Sequence, residues 1–209
     1  MSVRIIDAAA NSSRRLLVGA ILVGIAVVYA LYEGSVTYPP GVLVSEDPSQ
    51  SPAESVAPWE YKGLTIKPLA SFRLRARVLR SERYWFDGGA KVAPVDLALG
   101  WGPMSDQRVI DRLSIWQGQR WFRWMPKDNQ PPIPMTEIAN HSSNMHMIPS
   151  TDQIKDQLLA LRNGQLVGLG GYLVRVSGKD GWSWTSSLSR TDSGSGSCEL
   201  VWVEYVDPR

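Results

Sequence analysis

Cysteine is almost missing from this chain: Cys198 is the only one among 209 residues. No intramolecular disulfide can form, so any folded domain must rest on a packed core. A lone thiol suits a bacterial periplasm better than a disulfide-stapled ectodomain. Histidine is nearly as scarce, with only His141 and His146. A charge surplus is lacking too. The formal net charge is +2, and from Trp59 onward 19 Lys and Arg face 15 Asp and Glu. That density is far below what a dedicated nucleic-acid binder carries, which argues against nucleic acid as the partner. No nucleophile elbow and no metal motif of fixed spacing is present, so the sequence offers no catalytic signature.

Positive charge is also absent between Arg15 and Lys62, and the longest apolar run lies inside that gap. Leu16 to Tyr32 (LLVGAILVGIAVVYALY) holds 17 residues without a charge. A helix of that length covers most of a bilayer's hydrocarbon core, with tilt or snorkelling supplying the remainder. Arg4, Arg14 and Arg15 precede the run and Glu33 follows it. The positive-inside rule then predicts a cytoplasmic tail over 1–15, a signal-anchor transmembrane helix over 16–32 and an exported C-terminal portion. The expected location is a bacterial inner membrane, crossed once, with the domain periplasmic or extracellular. A cleavable signal peptide ending at Val28-Tyr29-Ala30 is the competing reading. The run exceeds the usual apolar core of such peptides and continues through Leu31 and Tyr32, which favours the anchor. Ala20 and Gly24 form a small-xxx-small pair, but in a stretch this rich in Ala and Gly chance accounts for it.

Past the apolar run the composition turns to Pro, Ser, Asp and Glu, with Pro39, Pro40, Pro48, Pro52 and Pro58. Residues 33–58 are therefore expected to be a Pro/Ser-rich linker, whose stretch Thr37 to Pro58 would reach ~60 Å if polyproline-like. The remaining stretch, 59–209, is expected to be one extracytoplasmic domain and contains all nine tryptophans.

Within that domain, Ser71 to Arg80 alternates Phe72, Leu74, Ala76 and Val78 with Arg73, Arg75 and Arg77, the period-2 mark of a half-buried strand. Val92 to Trp101 reads as a second strand, placed at a sheet edge because Pro94 interrupts it. Ser105 or Asp106 caps a short helix carrying Val109, Ile110 and Leu113. Ile115–Trp116 and Trp121–Trp124 read as a hairpin around Gln117-Gly118-Gln119. Lys127 to Pro134 is a loop by composition, and Thr136 to Pro149 shows no periodicity. Ser150 or Thr151 caps a second helix with Ile154, Leu158 and Leu161 on one face, stopped at Asn163-Gly164. Gln165–Val176 and Trp182–Leu188 are strands joined through Asp180-Gly181, and Arg190–Ser197 is a Ser/Gly loop. Cys198–Val206 is apolar on both faces and so is expected to be central. The predicted class is α+β: a small, mostly antiparallel β domain with two helices, shaped as a partly open barrel. Over about a dozen residues the passage from helix through Gly164 into VGLGGYLVRV resembles the strand entry of OB-type barrels.

Four groups of residues could carry function. His141, Met145, His146 and Met147 combine imidazole and thioether ligands, which suits copper. The alternative is that the histidines bond backbone while the methionines fill the core. Cys198 with a histidine and Asp192 has the residue types of a nucleophile system, though a small thiol opening an apolar strand is usually packing. Ser187, Ser189 and the 193–197 loop could form an anion-binding nest, but such loops are commonly plain connections. Arg73, Arg75 and Arg77 form a row suited to an anionic ligand, or a solvated face that discourages edge pairing. Trp182 and Trp184 share a strand face and could stack on sugar rings or fill a partner's pocket, or simply bulk out a core.

The sequence thus predicts a membrane-anchored interaction or scaffolding module of the bacterial envelope with an envelope protein as partner. A glycan- or anionic-polymer-binding domain is the alternative. An enzyme or copper-handling site at the His/Met loop comes third, and no other cofactor is expected.

Overall fold

The computed structural model describes residues 34–192, 194 and 196–209, together with 18, 19, 21, 22 and 24, which are helical. The tail expected over 1–15 and most of the membrane helix expected over 16–32 lie outside the described residues. Among the described residues, no helix is long and apolar enough to cross a membrane. By contacts the chain divides into two units, 1–34 and 35–209.

The second unit is mostly β. Among the described residues ten strands occur: β1 (Ser49–Pro52), β2 (Trp59–Tyr61), β3 (Leu64–Arg83), β4 (Val95–Gly100), β5 (Leu113–Gly118), β6 (Trp121–Pro126), β7 (Ser142–Pro149), β8 (Leu166–Ser177), β9 (Ser183–Thr185) and β10 (Glu199–Pro208). Three helices accompany them: α1 (Gln107–Ile110), α2 (Met135–Asn140) and α3 (Asp152–Leu159). Eight strands form one sheet, and β5 and β6 form a separate hairpin. Within the main sheet the pairing runs from β3 through β4, β7, β10 and β8 and returns to β3. The sheet is curled rather than smoothly closed. β3 pairs with β8 along Thr65–Arg77 and with β4 along Arg77–Arg83, so it changes partner at Arg77. β7 and β10 are parallel, and the other pairings are antiparallel.

The core follows from the alternation. Phe72, Leu74, Ala76 and Val78 of β3 face inward with Leu97 and Leu99, Met145 and Met147, Val167 and Leu169, and Val201 and Val203. Leu158 of α3 joins the same cluster and is fully buried. Thr151 accepts a hydrogen bond from Ile154 N–H at 3.2 Å and so caps α3, as its sequence position predicts. Truncating a side chain placed like Leu158 to Ala costs about 2–5 kcal/mol.

Four expectations need correction. The second strand is not an edge: Pro94 lies before it, and β4 is buried throughout between β3 and β7. The stretch without periodicity holds α2 and β7. β7 shows no alternation because it is covered on both faces, so its polar residues have tertiary rather than solvent partners. Trp182–Leu188 supplies only the short β9.

The fourth concerns 33–58, which is no free linker. Val44 and Ala53 are buried in it, and β1 pairs with β3. Tyr38 N–H donates to Gln107 Oε1 at 3.2 Å, Gly41 N–H to Asp106 Oδ1 at 3.0 Å, and Leu43 and Val44 N–H to Ser105 Oγ at 3.0 and 3.1 Å. A Pro-rich segment cannot satisfy its own backbone by regular structure, and here side chains of 105–107 do so instead.

Candidate functional site

The strand alternation that buries Leu97 and Met145 turns Asp96 and His146 to the opposite face of β4 and β7, where they are direct cross-strand neighbours. Asp96 is fully buried and His146 is 3% exposed. His146 Nδ1 lies 2.9 Å from Asp96 Oδ1, within ion-pair range but without hydrogen-bond alignment. Burying a carboxylate is costly unless it is paired, and the partner comes from the β5–β6 turn. Arg120 Nη1 contacts Asp96 Oδ1 at 2.7 Å and also donates to the Ala93 carbonyl at 2.9 Å. Its Nε and Nη2 grip Asp87 at 2.9 and 2.8 Å.

Arg120 reaches this position through an uncommon backbone. Gln119 and Arg120 have φ of 53° and 68°, the left-handed values of a type I′ hairpin turn without glycine. The sequence points instead to Gln117-Gly118-Gln119 as the turn, whereas Gly118 ends β5. The two carboxylates offset the backbone cost. Arg120 is held above the usual guanidinium range: burial opposes the charge, but Asp87 and Asp96 outweigh it. The same hydrogen bonds from Arg120 are the main reason Asp87 is pulled below its usual range. The Tyr84 hydroxyl accepts from Arg120 N–H at 2.9 Å, and burial, reinforced by Asp96, pushes its pKa up to about 12.

Trp184 covers the group from β9. Its ring centroid lies 4.6 Å from that of His146, and the Arg120 guanidinium is 5.7 Å from it. Trp182 stands edge-on to Trp184 at 6.4 Å. Beside them opens a cleft of about 890 Å³ between the 84–94 loop and the 178–184 turn. Gly89 packs closely here, since a Cβ on it would sit 3.1 Å from the Trp184 ring and that ring would have to shift by a few tenths of an ångström. Trp182 is 42% exposed, and the 84–94 loop presents Trp85 at 70% and Phe86 at 99% exposure. Lys62, Lys91 and Lys155 also line the cleft.

The other candidates separate. Arg73 and Arg75 are exposed and line a second groove of about 1000 Å³, but Glu46, Asp47, Glu204 and Asp207 line it as well. Arg77 is buried at 1% exposure, so the row of three does not exist. It donates to the carbonyls of Gly164 at 3.1 Å, Ser105 at 3.2 Å and Val36 at 3.3 Å, and to Gln107 Oε1. Arg77 keeps the alternation of Arg73 and Arg75, but the docked 36–44 segment covers it, with Val36 accepting from its guanidinium and the Tyr38 ring 5.1 Å away, so alternation stops predicting exposure there.

The His/Met set is also divided. Met145 and Met147 are in the core, while His146 points to the other face of β7. His141 ends α2, with its Nδ1 2.9 Å from the Glu137 carbonyl and its ring against Gly102. Among the described residues, no group of three or more His, Cys, Asp or Glu is placed to hold a metal ion.

Cys198 is an unsuitable nucleophile, since burial pushes its pKa up to about 11. Asp192 accepts from Ser187 Oγ at 2.6 Å, and Ser187 Oγ in turn accepts from Ser189 N–H at 3.0 Å, so these groups serve their own loop. Residues 193 and 195 of the suggested nest lie outside the described residues.

Sequence reasoning identified Trp182 and Trp184 but missed Asp96, Arg120, Trp85 and Phe86. The last two had a signal: adjacent bulky aromatics before Asp87-Gly88-Gly89 cannot both face one core. No family model matches this chain, and neither a curated protein nor a solved structure is found similar to it.

Proposed function

We propose that this chain is an interaction module of the bacterial envelope, anchored by 16–32, whose exported domain is an OB-like partly open barrel. Its docking site is the face formed by the 84–94 loop and the 178–184 turn. The observation that carries this reading is the exposure of Trp182 in the cleft and of Trp85 and Phe86 in the loop just before its lining residue Asp87. Aromatic side chains of this size gain heavily from burial and dominate binding energy when a partner covers them. Their support is the Asp96–Arg120–Asp87 network, which fixes the 84–94 loop without using the exposed aromatics.

Crosslinking in intact cells tests the reading. One envelope protein should be captured by the full chain and lost from the Trp85→Ala/Phe86→Ala/Trp182→Ala variant at unchanged expression. Capture that is indifferent to the three substitutions would overturn it.

Glycan binding is the second reading, favoured by Trp182 and Trp184 meeting at one cavity. It loses the Arg73–Arg75–Arg77 row, because Arg77 is enclosed and the two exposed arginines border the other groove.

A further inference from the structure

We infer that the cleft takes an acidic peptide segment of the partner protein, with one apolar or aromatic side chain seated against Trp182 and carboxylates meeting Lys62, Lys91 and Lys155. This rests on the docking reading above and names the chemistry of the occupant.

The ground is positive charge without an answer in the described chain. Lys62 Nζ donates to the Lys91 carbonyl at 2.9 Å and lies 4.8 Å from the Tyr61 ring centroid. Among the described residues, no carboxylate forms an ion pair with Lys62, Lys91 or Lys155. Asp87, the one acid among the described residues that line the cleft, is already held by two bonds from Arg120. Each lysine arrives from a different element. Lys62 sits in the β2–β3 turn, where φ of 53° and 78° at Lys62 and Gly63 makes a type I′ turn that fixes its direction. Lys91 follows the Gly88-Gly89 bend, and Lys155 lies on α3.

Convergence of like charge from three separate elements is unfavourable in the free protein and becomes favourable when an anion enters. A simple anion would not use a cavity of about 890 Å³ bordered by indole rings. A polyanionic glycan answers the lysines but leaves Trp85 and Phe86, exposed beside the cleft just before its lining residue Asp87, without the apolar partner surface that such side chains need. An acidic segment with an apolar anchor answers both.

The test uses the full chain in mild detergent and intrinsic tryptophan fluorescence. The probes are the peptides acetyl-Glu-Glu-Phe-Glu-Glu-amide, its Phe-to-Ala form and acetyl-Lys-Lys-Phe-Lys-Lys-amide, with polygalacturonate as an anionic glycan. The acidic Phe peptide should bind saturably and weaken about tenfold in Lys62→Ala/Lys91→Ala/Lys155→Ala and in high salt. Its Ala form should bind weakly and the basic peptide not at all. Absence of binding by the acidic Phe peptide, equal binding of the basic one, or preference for polygalacturonate overturns the inference. Matched thermal melts establish that the lysine variant is folded. Crosslinking in cells then separates the two claims. A partner retained by the lysine variant but lost from the aromatic variant sinks the acidic chemistry alone. A partner retained by both sinks the docking site itself.

Discussion

His146 and Asp96 face each other across β7 and β4 at 2.9 Å, and the same Asp96 oxygen meets Arg120 at 2.7 Å. One buried carboxylate therefore connects two central strands to the turn of the separate hairpin. Asp87 extends the connection to the 84–94 loop. A deeply buried charge thus positions the loop that carries Trp85 and Phe86.

Replacing Asp96 by Ala should destabilise the domain by about 3–5 kcal/mol, since Arg120 is left without its buried partner. Denaturant unfolding measures the loss. Hydrogen exchange should quicken at 118–122 and 84–93 before it does in β8. A variant whose exchange rises evenly across the sheet would show that Asp96 supports the fold in general and not these segments.

Arg77→Met should detach the segment 36–44. Removing the guanidinium strands the carbonyls of Gly164, Ser105 and Val36, each such loss costing about 1–3 kcal/mol where water cannot replace the donor. Limited proteolysis reads the result, with cleavage between Val36 and Pro48 appearing well below the unfolding midpoint. Gly164→Ala should act alike. Its φ of 84° disfavours a side chain, and a Cβ would lie 1.8 Å from the Val36 carbonyl oxygen.

Glu199 gives the stability a pH slope. Burial pushes its pKa from 4.5 up to about 7, only partly opposed by Arg190 at 2.5 Å and by Ser143. A carboxyl whose folded pKa is raised stabilises fully below its unfolded value, and that contribution is lost as pH rises through the folded one. Unfolding free energy should therefore decline between about pH 4.5 and pH 7, the window set by the unfolded and folded values of Glu199. Glu199→Gln should remove this part of the slope. An unchanged pH profile in that variant would assign the slope to other groups.

Cys198 should resist thiol reagents in the native protein at about pH 8, because a pKa of about 11 leaves little thiolate. Labelling should track global unfolding, as followed by mass spectrometry across a urea series. Rapid labelling of folded protein would reinstate the thiol as a reactive group.

Much of the β domain was legible in sequence, and the gaps have physical causes. The alternation of Phe72 to Val78, the caps at Asp106 and Thr151, the β5–β6 hairpin and the central character of β10 all follow from local pattern. β7 did not, since Ser143, Asn144 and His146 look like loop residues until Glu199, Arg120, Gln117 and Asp96 are placed around them. α2 has no side-chain cap, and Pro134 precedes it. The segment 36–58 is held mainly by residues far along the chain, at 70–73, 105–107 and 163. For the site, spacing revealed that Trp182 and Trp184 share a face. Nothing local could reveal that Arg77 would be enclosed while Arg73 and Arg75 stayed in solvent.

The place of β10 between β7 and β8 matters during synthesis. Until residues 199–208 leave the ribosome, β7 exposes the edge that β10 covers along 145–149, and β8 the part of its edge that β10 covers along 167–173. From the making of β8 to the making of β10 the nascent domain therefore carries two open edges, a state prone to wrong pairing. Its yield in the cell should depend on how well those edges are shielded while β10 is awaited.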